Sequence, residues 1–362
     1  MSSIDIIVPC YNYGKYLKQC VTSLLTQSFS NIRVLIINDA SPDNTAIVAA
    51  ELLRQDRRLS YIEHWTNKGH IDTYNEGIDW VSADYLLLLS ADDYLMPGAL
   101  QRTVDLMDAH PEMGLAFGNA FEMDEHGEQN LTNVLACPAS ERVLSGAEFI
   151  SLSGARNLVP TPTAVVRAVL QKKLGGYRKE LPHAGDMELW LRLAAYSSVG
   201  FISSAQAVYR RHASNMSLSY SGQFYLPDLE QRKAALDCFL NTCGDVLPDV
   251  SKLRRRMLSS LAIDAVGCAS MVFNDGNFHL MNLLLAFAVQ ISPSSRFSRA
   301  WMKLACKRAM GRKAWQMLNP DRVLAKAAGE MPGMSVRPRL SPNTGKGEKT
   351  GDSLRLVEKE NA

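Results

Sequence analysis

The chain has 362 residues, 46% apolar and 21% charged, enough to bury a substantial core in one large domain plus a smaller one. A formal charge of +2 gives no reason to expect nucleic-acid binding. Seven cysteines (Cys10, Cys20, Cys137, Cys238, Cys243, Cys268 and Cys306) are odd in number and contain no C-x-x-C pair, which argues against a zinc ribbon or a disulfide framework.

The cysteines read as reduced thiols of a cytoplasmic protein. The opening MSSIDIIVPC carries Asp5 where a signal peptide needs a basic flank and a longer apolar run. The most apolar later stretch, Leu280 to Ile291, is too short to span a bilayer, so neither export nor membrane integration is expected.

In chain order, Ile4–Pro9 is a β-branched run that ends in the loop Pro9-Cys10-Tyr11-Asn12-Tyr13-Gly14. Leu17, Cys20, Val21, Leu24 and Leu25 then recur at helical spacing. Ile32–Asn38 is a second apolar run, closed by Asp39-Ala40-Ser41-Pro42-Asp43. A helical segment reaches about Arg54, Leu59–His64 reads as a third strand, Asn67-Lys68-Gly69 as a turn, and His70–Val81 as a helix. Tyr85–Leu89 is a fourth strand. Near-continuous Val, Ile and Leu runs separated by helices predict a parallel sheet covered on both faces. From about Pro97 to Tyr220 the pattern is mixed, with a clear helix at Asp186–Ala195. Leu226 to Leu318 reads as helices broken near Gly244–Pro248, Asn274–Gly276 and Ser292–Ser295. Beyond Asn319 the composition predicts a disordered tail. The expected division is 1–220, a helical region 221–318, and a tail 319–362.

In open parallel sheets ligands bind at the carboxyl ends of the strands. Four polar clusters fall there: Pro9–Gly14, Asp39–Asp43, Asn67–Gly69 and Ser90–Asp93. No G-x-G-x-x-G follows the first strand and no G-x-x-x-x-G-K-[ST] loop occurs, so a diphosphate must be held another way. Asp92 and Asp93, adjacent carboxylates at the end of a buried strand, suit a hard cation, Mn2+ or Mg2+. Alternatively the pair caps the helix beginning near Pro97. The convergence of four loops favours the cation.

The segments IDIIVPCYNYGKYLKQCVTSLLTQSF, VLIINDASPDNT, NKG and YLLLLSADDYLMPGAL, in that order, resemble the family 2 glycosyltransferases over about residues 4–215. The resemblance implies an α/β fold of the GT-A type, a Rossmann-like mixed sheet flanked by helices, followed here by a smaller C-terminal helical region. It implies inverting sugar transfer from a nucleotide-sugar donor to a saccharide or lipid-linked acceptor, in surface polysaccharide or glycolipid assembly. Pro9, Tyr11 and Asn12 would line the nucleotide pocket, with Lys68, flanked by Asn67 and Gly69, near the base or ribose. Asp39 would accept from the base, which suits the imide N–H of a UDP- or dTDP-sugar.

The family's D-x-D appears as Ser90-Ala91-Asp92, which makes Asp92 the first metal ligand and Asp93 the second. In Gly185-Asp186-Met187-Glu188-Leu189-Trp190-Leu191-Arg192, Asp186 matches the family's catalytic base, while Gly185 replaces the usual glutamate. Asp186 also reads as a helix N-cap, and Trp190 as core packing rather than a platform for sugar. Tyr209-Arg210-Arg211-His212-Ala213-Ser214-Asn215-Met216-Ser217 resembles the family's closing element: His212 would complete the metal shell or contact the diphosphate, or be a plain surface or hydrogen-bonded residue, and Arg210 or Arg211 would pair with phosphate.

Other readings are a sugar-phosphate nucleotidyltransferase, which the absence of G-x-G-x-R disfavours, and a non-catalytic binding module of the same fold. Between Asp275 and Asp321 no acidic residue occurs, while Arg296, Arg299, Lys303 and Lys307 recur at helical spacing beside Phe297, Trp301 and Leu304. Residues 296–318 therefore read as a peripheral contact with anionic membrane on its inner face, or as a solvated helix face.

Overall fold

The computed structural model describes residues 2–135, 137, 139–213, 215 and 225–318. The chain opens with β1 (Ile4–Cys10), α1 (Gly14–Leu25), β2 (Ile32–Asn38), α2 (Thr45–Leu53), β3 (Leu59–Glu63), α3 (His70–Trp80) and β4 (Tyr85–Leu88). The mixed region holds β5 (Tyr94–Leu95), α4 (Ala99–Ala109), β6 (Met113–Met123), β7 (Gln129–Leu131), β8 (Glu141–Leu144), α5 (Gly146–Ser153), β9 (Val165–Arg167), α6 (Ala168–Leu174), α7 (Gly185–Ala194) and β10 (Ser198–Arg210). Helices α8 (Tyr225–Thr242), α9 (Val250–Asp275), α10 (Phe278–Ile291), α11 (Arg299–Met310) and α12 (Arg312–Met317) follow. The expected helix breaks are present, with Gly276 ending α9 in the left-handed region at φ +82. The tail beyond Asn319 lies outside the described residues.

One sheet runs β3-β2-β1-β4-β9-β6-β10-β5, with β7 beside β6 and β8 beside β10. β1 pairs in parallel with β2 and β4, and β2 with β3. β9 is antiparallel to β4 and β6, which makes the sheet mixed rather than wholly parallel. The first two strands are mostly apolar because each feeds two cores. Ile4, Ile6, Val8 and Cys10 of β1 join one buried cluster with α1, while Ile7 joins the other. β2 divides likewise, Val34 and Ile36 against Leu35 and Ile37. Strand side chains alternate in direction, so burial on both faces erases polar alternation. Each such side chain contributes roughly 1.5–3 kcal/mol.

Asp5 is the one charged residue of β1 and is fully buried. Arg33, its register partner on β2, donates to it through Nε at 2.8 Å, and the Ser82 and Ala83 amides donate at 2.7 and 3.0 Å. Burial raises its carboxyl pKa, but these donors outweigh burial and hold it below the ordinary range.

The C-terminal helices share a core with the sheet: Leu236, Phe239, Leu261 and Ala265 lie in one cluster with Phe117 and Trp190. Among the described residues α9 is long and apolar enough to cross a bilayer, a candidate longer than the stretch singled out from the sequence. Here it packs against α8, α10 and α11, with Met257, Leu261, Val266 and Phe273 buried.

Helix α7 is anchored by an ion pair removed from water. Glu188 and Arg192 are 0% and 2% exposed. Arg192 donates to Glu188 at 2.9 Å and to the Gly175 and Gly176 carbonyls at 3.0 and 2.7 Å. Glu188→Ala leaves that guanidinium buried without its counter-charge, and is expected to cost about 3–5 kcal/mol, read as a lower unfolding midpoint.

Candidate active site

Two of the four loops are held open by unusual backbone. Asn12 and Ala40 adopt φ +61 and +56, a region costly for residues with a Cβ. The loops are clasped together: the Asn12 amide donates to Ser41 Oγ at 3.1 Å and the Gly14 amide to Asp43 Oδ2 at 2.9 Å. A Cβ on Gly14 would lie 2.4 Å from Asn44 Oδ1, so α1 starts at a glycine because the second loop passes that close. Beside this clasp opens a cavity of about 270 Å3, lined by Asn12, Tyr13, Lys15, Asp43, Asn44 and His212. Pro9 lies buried in β1 and receives the Ala91 amide on its carbonyl at 3.2 Å, while the Tyr11 side chain is half exposed.

Asp39, at the end of β2, is buried and accepts on both oxygens. Oδ1 takes the Lys68 amide at 2.7 Å and faces His64 Nδ1 at 2.7 Å, while Oδ2 takes the Gly69 amide at 3.0 Å. Burial raises its pKa, but the imidazole and the two amides outweigh burial and hold it below the ordinary carboxylate range. Gly69 itself needs φ +84. The other ring nitrogen of His64 meets Glu76 Oε2 at 3.0 Å, and Lys68 Nζ meets the same oxygen at 2.8 Å. Lys68 thus reaches Asp39 through its backbone and Glu76 through its ammonium. Asn67 bridges the turn, donating to the Asp39 carbonyl at 3.3 Å and accepting the Gly69 amide at 2.9 Å.

The acidic pair does not cap the following helix. α4 begins at Ala99 behind Gly98, and neither carboxylate touches its first turn. The turn is closed instead by the Asp93 amide on the Ser90 carbonyl at 3.0 Å. Asp93 Oδ1 accepts the Arg210 amide at 2.8 Å. Burial and then the Asp92 charge push the Asp93 carboxyl well above its ordinary pKa. Asp92 Oδ2 stands 3.1 Å from His212 Nε2, whereas Oδ1 is buried and accepts nothing from the described residues. A buried carboxylate oxygen without a donor is costly unless a cation meets it.

No cluster of three or more His, Cys, Asp or Glu side chains is preformed among the described residues. Asp92 Oδ1 offers the carboxylate oxygen that a hard cation such as Mn2+ or Mg2+ would take, with His212 Nε2 close to the other oxygen as a further candidate ligand. His212 is packed between Tyr13 and Tyr16, ring centroids 5.4 and 5.2 Å away, so the surface reading does not hold. Arg210 braces the same loop, with Nε on the Asp92 carbonyl, Nη2 on Gln19 Oε1, and its guanidinium 4.5 Å from the Tyr16 ring centroid. Arg211 pairs with Glu122 at 3.0 Å.

Asp186 is not an N-cap: α7 starts one residue earlier behind Ala184, and Asp186 sits in the first turn. Thr161 Oγ1 donates to its Oδ2 at 2.8 Å and the Tyr177 hydroxyl also bonds it. Burial raises its carboxyl above the ordinary range despite those two donors and the nearby His70 and His183. Tyr177 packs edge-on against Tyr74 at 5.2 Å, and burial first, then the charges of Asp186 and Asp92, push the Tyr74 hydroxyl pKa up. A Cβ at Gly185 would meet Tyr177 and Ile71 at ordinary contact distances, so the glycine is not demanded by space. Trp190 is 4% exposed, a core residue.

Sequence reading passed over His64 and Glu76, which fix Asp39, and Tyr177, which orients Asp186. A histidine three residues before the Asn67–Lys68–Gly69 turn has no motif to announce it; only the pairing of β2 with β3 brings it to Asp39.

A family model described as "Glycosyl transferase family 2" matches residues 5–149. An uncharacterized protein of Mycobacterium tuberculosis is 30% identical over 217 residues, 58% of this chain and 67% of that protein. An uncharacterized glycosyltransferase of Haemophilus influenzae is 22% identical over 244 residues, 67% of this chain and 75% of that one. Among solved structures, S. aureus TarS 1–349 in complex with UDP-GlcNAc aligns at 17% identity with a TM-score of 0.53, covering 82% of this chain and 92% of that one, a likeness of fold.

Proposed function

The chain belongs to glycosyltransferase family 2, and we propose that it moves a sugar from a UDP- or dTDP-sugar to a hydroxyl acceptor, with inversion at the anomeric carbon and with Mn2+ or Mg2+ bound. The observation that carries this reading is Asp92, its Oδ1 buried without a donor among the described residues and its Oδ2 beside His212. Membership of this family, with its GT-A fold, sets aside the nucleotidyltransferase reading.

Asp39, Asn67, Lys68 and Gly69 form one rigid edge of the donor site. The three hydrogen bonds on Asp39 leave an acceptor direction at Oδ2, enough for one imide N–H of uracil or thymine. Pro9, Tyr11 and Asn12 line the nucleotide, and Ser90 offers a hydroxyl where a carboxylate is usual in the family. Arg210 serves chiefly to hold the Asp92 loop in place, while Arg211, half-buried beside Glu122, would pair with phosphate by exchanging that partner. Asp92, His212 and, in second place, Asp93 hold the cation, which when bound neutralises charge on the diphosphate.

Asp186 takes the proton of the acceptor hydroxyl as that oxygen bonds to the anomeric carbon. The bond from that carbon to the diphosphate oxygen breaks, and its electron pair leaves with the nucleoside diphosphate. We assign the acceptor to surface polysaccharide or glycolipid assembly on the cytoplasmic side, a reading supported by resemblance to the family alone.

A thermal-shift panel of UDP-, dTDP- and GDP-sugars with and without Mn2+ tests the donor site. A uridine or thymidine donor is expected to raise the melting temperature only with metal, by the equivalent of about 2.7 kcal/mol at a hundredfold excess over Kd. Equal stabilisation in the presence of EDTA would overturn the metal reading. A preference for GDP-sugars would overturn the assignment of uracil or thymine as the base.

A further inference from the structure

Helix α11 turns its faces in directions that the amino-acid pattern does not disclose. The expected lipid face carried Trp301 and Leu304, yet Leu304 is buried and Trp301 half-buried against the helical core. Lys307, expected among the outward cations, is also buried. Its ammonium donates to the Ser270 carbonyl at 2.7 Å and hydroxyl at 3.0 Å, and lies over the Phe273 and Trp315 rings. Those contacts fix the rotation of the helix, and Ser298 fixes its start by accepting the Trp301 amide.

With that face inward, Met302, Cys306 and Ala309 form a strip on the opposite side, at the i, i+4, i+7 spacing of one helix face. All three are exposed, Met302 at 53%. Arg299 and Lys303 run along one edge of the strip. Phe297, two residues before the helix, is 84% exposed, and Met310 at its end 44%. Arg296, Arg308 and Lys313 are exposed nearby, and no acidic residue occurs from 276 to 320. A helix face turned to water ordinarily carries charge along its middle; here the middle is apolar and the edge cationic.

We propose that the outward face of α11, with Phe297, seats the protein on an anionic phospholipid bilayer. The cations select the headgroup charge and Phe297, Met302 and Met310 enter the interface. Charge complementarity argues for lipid, since the cations beside the apolar strip have no acidic residue from 276 to 320 to offset them before an anionic leaflet. The inference stands apart from the donor chemistry and does not depend on it.

The test is co-sedimentation of the full chain with vesicles of phosphatidylcholine alone and of phosphatidylcholine mixed with phosphatidylglycerol, at low and high salt. Binding is expected only to the anionic vesicles and is expected to weaken with salt. Arg299→Gln with Lys303→Gln should lower partitioning on the order of thirtyfold. Phe297→Ser with Met302→Ser should also weaken it, with unfolding midpoints unchanged because these side chains are exposed. Absence of sedimentation, equal binding to neutral vesicles, or full binding by both double variants would each overturn the proposal. So would a dimer in sedimentation velocity that Met302→Ser dissolves while vesicles are ignored.

Discussion

Asp186→Asn is expected to lower kcat on the order of a hundredfold or more while leaving donor affinity unchanged. The amide keeps the shape of the carboxylate and still accepts from Thr161, but it cannot take a proton from the acceptor hydroxyl. The pH profile gives a second readout. Burial lifts the Asp186 carboxyl above the ordinary range, and the base works only when ionised, so kcat should fall as pH drops through that raised pKa. The variant should lose this acidic limb.

Linkage separates lost chemistry from lost folding. A carboxyl whose pKa is higher in the folded state binds protons more tightly there, so its ionisation works against folding as pH rises from the unfolded to the folded value. Replacing it with a neutral amide removes that penalty, and Asp186→Asn should melt no lower than the parent at neutral pH. Turnover at the parent rate would remove Asp186 from the mechanism.

The parts of this molecule legible in its sequence are those where one local force dominates. β1, β2 and β4 are largely apolar runs because both faces are buried, with Asp5 and Arg33 answering each other across β1 and β2, and Gly276 ends α9 because a left-handed φ suits glycine. The loops at the strand ends were legible because Pro, Asn, Asp and Gly punctuate them. What stayed hidden depends on partners distant along the chain. Glu188 lies in the first turn of α7 with nothing in the sequence to mark its burial, yet it forms a buried pair with Arg192 and meets Arg178 at 3.3 Å. His64 reaches Asp39 across 25 residues, and Lys307 reaches Ser270 across 37. The Lys307 contact sets which side of α11 faces water, and helical periodicity alone gives the spacing of a face without its direction.

Asp92→Asn is the second large effect, expected to abolish metal-dependent donor binding. Loss of an outer-shell partner of a metal typically costs roughly 10–100-fold, and loss of the principal carboxylate should exceed that. Its neighbour is poorly placed to substitute. Asp93 accepts the Arg210 amide, and burial together with the Asp92 charge holds its carboxyl well above the ordinary range, so it offers less negative charge to a cation. The two positions should therefore respond unequally, with Asp93→Asn losing less metal affinity than Asp92→Asn. Titration of Mn2+ into protein with UDP, followed by calorimetry, measures both. His212→Ala should fall between them, since it removes a neutral ligand but leaves the carboxylate. If Asp92→Asn bound Mn2+ and nucleotide as the parent does, the unpartnered Oδ1 would need another explanation, and the division of labour between the two aspartates would be wrong.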